Sequence, residues 1–79
     1  MKRAEIEKAM KDGALLVIQD KADGSVYCCI RENRVRFRRS RRIRFDQYTH
    51  QLDQGHLSLI ESRRVNGYDH CEYVWRVSP

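Results

Sequence analysis

The spacing of hydrophobic residues near the start of the chain is that of a helix. Ile6, Ala9 and Met10 recur on one helical face, with charged residues around them. Gly13 follows where a helix commonly ends in a left-handed cap. The pattern predicts a first helix over residues 2–12, which packs through its apolar side and leaves a charged outer face in solvent.

Two short apolar runs come next, and they have the length of strands. They cover residues 14–18 and 26–30, and the Asp23-Gly24 pair between them is a hairpin signal. Glu32-Asn33 is expected to form a second tight turn, because asparagine tolerates a left-handed backbone. The chain is then expected to return as a third strand over residues 34–38.

Arginine alternates with apolar residues along this third strand. Val35 and Phe37 fall on one face by the two-residue period of a strand. The other face is expected to carry Arg34, Arg36 and Arg38. Ser40 is expected to interrupt the strand, so that residues 38–42 form an exposed bend.

A second helical pattern follows the arginines and predicts a helix over residues 46–54. Asp46 is expected to cap its start, and Gly55 to end it. Tyr48 and Leu52 lie on one side of this helix. The other side is expected to present Gln47, His50, Gln51 and Gln54.

The chain closes with a predicted hairpin. Residues 57–62 and 68–77 are its strands, and Asn66-Gly67 is a strong turn signal between them. One face of the last strand is expected to carry Cys71, Tyr73, Trp75 and Val77. The order α-β-β-β-α-β-β predicts one small α+β domain over residues 1–79 with an antiparallel sheet. Its architecture is expected to be winged-helix-like or a small curled sheet with helices at its side.

Two spaced patterns of apolar residues and glycine carry a family resemblance. They are Ile6-(x2)-Ala9-(x3)-Gly13 and Leu52-(x2)-Gly55-His56-Leu57-(x2)-Ile60. Together they resemble small winged-helix-like proteins of phages and prophages, in which a short helix ending in glycine precedes the wing strand. The resemblance implies that the second helix reads nucleic acid and that the Asn66-Gly67 hairpin is the wing.

Size and composition favour a binding protein over an enzyme. A chain of 79 residues has a small core and little room for a deep catalytic pocket. The sequence holds no Gly-rich phosphate loop, no nucleophile motif and no cluster of carboxylates for metal ions. It therefore predicts a protein without catalytic residues and without a cofactor.

The cysteines and histidines do not have the spacing of a metal site. Cys28, Cys29 and Cys71 are odd in number, and His50 and His56 are not paired with them at zinc-finger spacing. Reduced thiols are expected, with a bridge from Cys71 to Cys28 or Cys29 as the alternative. No apolar run has the length of a membrane span, and the first residues lack the apolar core of a signal peptide. These features predict a cytoplasmic protein without a bound metal.

Positive charge is concentrated in one short segment. Residues 34–44 hold seven arginines and no acid, while the whole chain carries a net charge of +5, so the remainder is slightly acidic. Planar guanidinium groups suit phosphate better than lysine does. The predicted function is therefore nucleic-acid binding, by a small regulator or accessory factor of the phage type.

The predicted contacts include glutamines, which can pair with adenine edges, and two arginines on the rising strand of the last hairpin. The predicted nucleic-acid-binding residues are Arg34, Arg36, Arg38, Arg39, Arg41, Arg42, Arg44, Gln47, His50, Gln51, Arg63 and Arg64. Duplex DNA is favoured over RNA, because no pair of exposed aromatic residues on a sheet is evident for stacking single-stranded bases. A symmetric homodimer would double the basic surface.

Two alternatives use the same arginines. They would form a solvated face with no partner, or they would bind an acidic patch on a host protein, as in a phage-encoded inhibitor of a nucleic-acid-guided defence complex. Arginine and aromatic residues dominate protein interfaces, so an exposed Trp75 would favour the inhibitor. A buried Trp75 with arginines over one face would favour nucleic acid.

Overall fold

The computed structural model describes residues 1–21, 23–33, 36–64 and 71–79. Helices and strands follow one another in the predicted order. They are α1 (Arg3–Lys11), β1 (Leu15–Asp20), β2 (Val26–Asn33), β3 (Arg38–Ile43), α2 (Phe45–Asp53), β4 (Leu57–Arg64) and β5 (Cys71–Val77). The strands form one five-stranded antiparallel sheet, so the predicted α+β class with an antiparallel sheet is confirmed.

β1 lies at the centre of the sheet, whose strand order is β3-β2-β1-β5-β4. It pairs with β2 on one side and β5 on the other, and Val17 stands opposite both Cys29 and Val74. β3 and β4 are therefore the two edge strands. In β4 the register shifts between Leu59 and Glu61, which places a β-bulge next to Ile60.

Both helices pack on the same face of the sheet, which we call the helix side. Leu16 and Ile30 stand opposite each other there, and both are fully buried. The core around them consists of Ile6, Ala9, Met10, Ala14, Ile18, Cys28, Ile43 and Tyr48. Trp75 packs against this core, and its Nε1–H donates a hydrogen bond to the Tyr48 hydroxyl at 2.9 Å.

The first helix forms as its sequence predicts. Ile6, Ala9 and Met10 are all buried against the sheet. At its start the Glu5 carboxylate accepts a hydrogen bond from the Lys2 backbone N–H at 3.0 Å. At its end Gly13 adopts a φ of 98°, which confirms the predicted left-handed cap. Among the described residues, neither this helix nor α2 is long and apolar enough to cross a membrane.

The predicted tight turn at Glu32-Asn33 is wrong. β2 continues through Asn33, which stands opposite Arg38, and the Glu32 side chain is buried. Arg39 stands opposite Glu32, and its Nη2 lies 2.9 Å from the Glu32 carboxylate. This ion pair satisfies the buried charge and extends the ladder beyond the expected end of the strand.

β4 and β5 form the two arms of the closing hairpin and pair antiparallel. The predicted turn at Asn66-Gly67 and the predicted strand residues 68–70 lie outside the described residues. Within β5, Tyr73 and Trp75 both pack against the helix-side core, as the two-residue period predicts.

The three cysteines are free thiols. Cys28 faces the helix side, while Cys29 packs with Val17 and Val74 on the opposite face. Burial raises the pKa of both the Cys28 and the Cys29 thiol, which suppresses the reactive thiolate. Cys71 is only partly buried.

These environments predict a graded reaction with iodoacetamide at mildly alkaline pH. Cys71 should be alkylated in the native protein, whereas Cys28 and Cys29 should react only after unfolding in denaturant. Mass spectrometry of the intact chain would count the labels. Rapid labelling of all cysteines in the native state would contradict this core, and incomplete labelling after unfolding would reveal a disulfide.

A second prediction concerns the helix-side core. Ile30→Ala should reduce the free energy of unfolding by about 2–5 kcal/mol, because Ile30 is fully buried and the truncation leaves a cavity. The matched control is Ile60→Ala, since the Ile60 residue is 47% exposed and should tolerate truncation. Urea denaturation of both variants would measure the difference. Equal effects would contradict the assigned packing.

Candidate nucleic-acid interface

The arginine strand lies at one edge of the sheet. β3 covers Arg38–Ile43 and pairs with β2 alone among the described strands. The predicted strand over residues 34–38 is wrong at Arg36 and Phe37, which precede β3. The predicted interruption at Ser40 is also wrong, because Ser40 stands opposite Arg31 inside the ladder. Arg36 precedes the strand and is exposed, while Arg34 and Val35 lie outside the described residues.

The register explains this shift. Ile43 is buried opposite Cys28 on the helix side and anchors the strand by its apolar side chain. Phe37, expected on the apolar face of the strand, is 49% exposed. The guanidinium of Arg39 lies 5.8 Å from the Phe37 ring centroid. The segment before the strand thus contributes a surface aromatic ring rather than core.

The arginines of β3 project on both faces of the sheet, because side chains alternate along a strand. Arg39 and Arg41 point to the helix side, where they stand opposite Glu32 and Ile30. Both are held by acids, since Arg39 pairs with Glu32 at 2.9 Å and Arg41 pairs with Glu5 at 3.7 Å. The predicted exposed bend over residues 38–42 is therefore wrong for these two residues, which lie inside β3.

The other face of the sheet is turned away from both described helices, and we call it the open face. Its side chains alternate with those of the core. It includes Leu15, Val17, Gln19, Tyr27, Cys29, Arg31, Arg38, Ser40, Arg42, Glu61, Arg63, Glu72, Val74 and Arg76. Val17, Cys29 and Val74 form a small buried apolar cluster at its centre, with Leu15 and Tyr27 packed beside it.

Cations flank the aromatic ring on this face. The Arg42 guanidinium lies 5.6 Å, and the Lys21 ammonium 5.2 Å, from the Tyr27 ring centroid. Such contacts hold the charged groups over the ring and keep them at the surface. Arg42 is therefore positioned by an aromatic residue, with no acidic partner among the described residues.

Glu72 organises the rest of the open face. Its carboxylate is almost fully buried, and it accepts a hydrogen bond from Gln19 while lying 3.5 Å from the Arg31 guanidinium and 3.4 Å from that of Arg63. Burial alone would raise the pKa of this carboxyl, but the hydrogen bonds from Gln19 and Arg31 and the nearby positive charges hold the pKa below its usual value. Glu72 therefore stays ionised and fixes both arginines.

Several arginines have no acidic partner among the described residues. They are Arg36, Arg38, Arg42 and Arg76. Arg38 and Arg42 lie on the open face of β3, and Arg76 lies on the same face of β5. These groups keep their charge available to a ligand, unlike the arginines of the helix side.

The second helix differs from its prediction. It starts at Phe45 rather than at Asp46, and the Gln47 side chain accepts a hydrogen bond from the Arg44 backbone N–H at 2.9 Å. The Gln47 amide also donates to the Met1 carbonyl at 2.6 Å. Gln51 is 6% exposed. The expected outward row of glutamines is therefore wrong at Gln47 and Gln51, which face the rest of the domain.

The remaining predicted site residues lie apart from one another. His50 is half-buried and lies 3.2 Å from the Gln54 side chain. Arg44 is exposed, and its hydrogen bond to the Asp46 carboxylate holds the pKa of that carboxyl below its usual value. Arg63 pairs with Glu61 at 3.0 Å as well as with Glu72, and Arg64 is exposed at the end of β4.

Sequence reasoning missed several contributors to the open face, among them Lys21, Tyr27, Arg31, Arg76, Gln19 and Glu72. Tyr27 and Arg31 alternate with the buried residues of β2, so the two-residue period of that strand carried the signal. In β5, Trp75 packs on the helix side, so the next residue, Arg76, lies on the open face by the same two-residue period.

No protein-family model, no curated protein and no solved structure matches this chain.

The Glu72 cluster predicts a pH-dependent contribution to stability. Because the folded pKa of Glu72 is lowered, its stabilising effect is present above the usual pKa of about 4.5 and is lost as the pH falls through the folded value. Glu72→Gln should therefore reduce the free energy of unfolding by about 1–3 kcal/mol at neutral pH, and the difference should shrink in acid.

Urea denaturation of the parent chain and the variant at neutral and acidic pH would test this. Glu61→Gln is the control, because Glu61 is exposed and its loss leaves no buried arginine partner unpaired. A difference between parent and Glu72→Gln that stays constant down to strongly acidic pH would contradict the role assigned to the carboxylate.

Proposed function

We propose that this chain is a small basic nucleic-acid-binding protein that contacts the phosphate backbone through the open face. The observation that carries the proposal is the group of arginines there without acidic partners, Arg38, Arg42 and Arg76, joined by Arg36 before β3. Maintaining unpaired like charges on one face costs self-repulsion, which a polyanion relieves. A phage-type regulator or accessory factor without catalytic activity fits these properties.

The arginines of β3 are spaced for contacts with separate phosphates. Arg38 and Arg42 are four residues apart in a strand, which corresponds to about 13 Å between their Cα atoms. At that separation the two long, flexible side chains can each reach a different phosphate of one duplex. Arg76 lies three strands further across the sheet and would add another contact.

Duplex DNA is the proposed nucleic acid. Binding single-stranded bases on a sheet relies on two or more aromatic rings for stacking. Among the described residues of the open face, Tyr27 supplies one ring, and Arg42 and Lys21 already occupy positions close to it. A basic face that lacks a second aromatic ring for stacking bases favours a duplex over single strands.

The small curled sheet is the architecture that supports this proposal best. Both helices are packed against one face, and α2 buries Tyr48 and Gln51. In a winged-helix protein, α2 would contact the bases of the nucleic acid. In this chain the arginines without acidic partners lie on the open face, away from α2. In this proposal β4 and β5, the described arms of the closing hairpin, lie beside the DNA contact in the position of a wing.

An acidic host protein is the alternative partner, as in a phage-encoded inhibitor of a nucleic-acid-guided defence complex. Phe45 is 57% exposed, and Leu59 and Ile60 are each 47% exposed, which gives the surface apolar groups that protein interfaces use. Trp75 does not favour this alternative, because it packs against the core and hydrogen-bonds Tyr48.

Fluorescence anisotropy of labelled duplex DNA at several salt concentrations would test the proposal. The parent chain should bind with a log–log salt slope of about −0.9 per neutralised phosphate. Arg38→Ala/Arg42→Ala/Arg76→Ala should flatten that slope by up to about 2.7, because three phosphate contacts are removed. The control for net charge is Lys8→Ala/Lys11→Ala, which removes two exposed cations of α1 on the helix side and is compared per charge removed.

The outcomes separate the two partners. Equal losses per charge removed in both variants would show diffuse attraction and contradict the open-face assignment. Absence of binding to duplex and single strands at low salt would overturn the nucleic-acid proposal. The acidic protein partner would then account for the arginines, and the same triple variant should abolish that complex.

A further inference from the structure

The two helices enclose a cleft on the helix side, opposite the open face. It has a volume of about 520 Å³, within the range of small-molecule sites. The first residues of α1 and the first half of α2 form its walls. We call it the basic cleft, defined by Lys2, Arg3, Ile6, Arg44, His50 and Gln51.

Gln51 supplies a polar group without a partner in this cleft. The residue is 6% exposed and lines the cleft, and its side-chain amide forms no hydrogen bond with another described residue. Among the described residues, Arg41 Nε is the buried side-chain nitrogen or oxygen that lacks a partner, so the Gln51 amide itself reaches the surface of the cleft. A ligand in the cleft can therefore pair with this amide without breaking a hydrogen bond of the fold.

The charges around the cleft favour an anion. Lys2, Arg3 and Arg44 line it, against one carboxylate, that of Asp46. Arg44 pairs with Asp46 at 3.0 Å, and Arg3 pairs at 3.3 Å with Glu7, which does not line the cleft. Positive charge therefore remains in excess, and Lys2 has no ion pair with a described acid side chain.

We propose that the basic cleft binds a small molecule that carries a phosphate group. Lys2, Arg3 and Arg44 hold the phosphate, and the Gln51 amide donates to or accepts from a neighbouring polar group of the ligand. A concave site of this size suits a small molecule better than a duplex, which needs an extended surface. The proposal uses different residues from the open face and does not depend on DNA binding.

Nuclear magnetic resonance of the ¹⁵N-labelled full chain would test this proposal with inorganic phosphate as the probe. Gln51→Leu identifies the Gln51 side-chain amide signals by their disappearance. Phosphate should shift these signals of the parent chain along a saturable curve, whereas sodium chloride at matched ionic strength should not. Lys2→Ala/Arg3→Ala should weaken the apparent affinity about tenfold, because two charge-assisted contacts are lost.

Lys8→Ala/Lys11→Ala is the matched control, since it removes two cations of the same helix that do not line the cleft. A linear response, or equal weakening in both double variants, would mean a general ionic effect and overturn the proposal. So would an absence of any shift.

The same NMR titration with duplex DNA in place of phosphate separates the two proposed sites. If DNA but not phosphate shifts the Gln51 amide, the cleft belongs to the nucleic-acid interface and the small-molecule proposal fails. If phosphate binds while DNA does not, the cleft stands and the open-face function fails.

Discussion

The carboxylate of Glu72 is the group on which the open face depends. It lies on β5, yet its partners Gln19, Arg31 and Arg63 come from β1, β2 and β4, so one buried charge ties four strands together. Removing such a charge leaves its cationic partners uncompensated, which is more damaging than losing an exposed pair. The side of the sheet that no described helix covers is thereby held together by a buried charge and its hydrogen-bonded partners.

A second constraint comes from the place of β3 at the edge of the sheet. Edge strands expose unpaired backbone groups, and natural proteins guard them with charge. The arginines of β3 provide this protection whether or not a ligand is bound. Arg39 is also tied to the buried Glu32, so part of the run is structural and part remains free at Arg38 and Arg42.

Much of the fold could be predicted from local patterns, whereas the site could not. The order of elements, the face of α1 and the inward row of β5 depend on periodicity, which a single segment contains. The start of β3 depends on the ion pair between Glu32 and Arg39, and the face of Arg76 depends on pairing with a distant strand. Helical spacing alone predicts an outward Gln51, because glutamine is usually solvated, whereas the residue is buried beside residues of α1.

The bulge in β4 gives the molecule two edges that are guarded by different means. At β3, repulsion between arginines opposes pairing with another strand, and salt screens this repulsion. At β4, the β-bulge near Ile60 opposes pairing by its backbone geometry, which does not depend on salt. Two copies that paired through β3 would leave the bulged β4 strands as the outer edges, which disfavours the addition of further copies. Such pairing would favour a closed, two-fold particle over a filament.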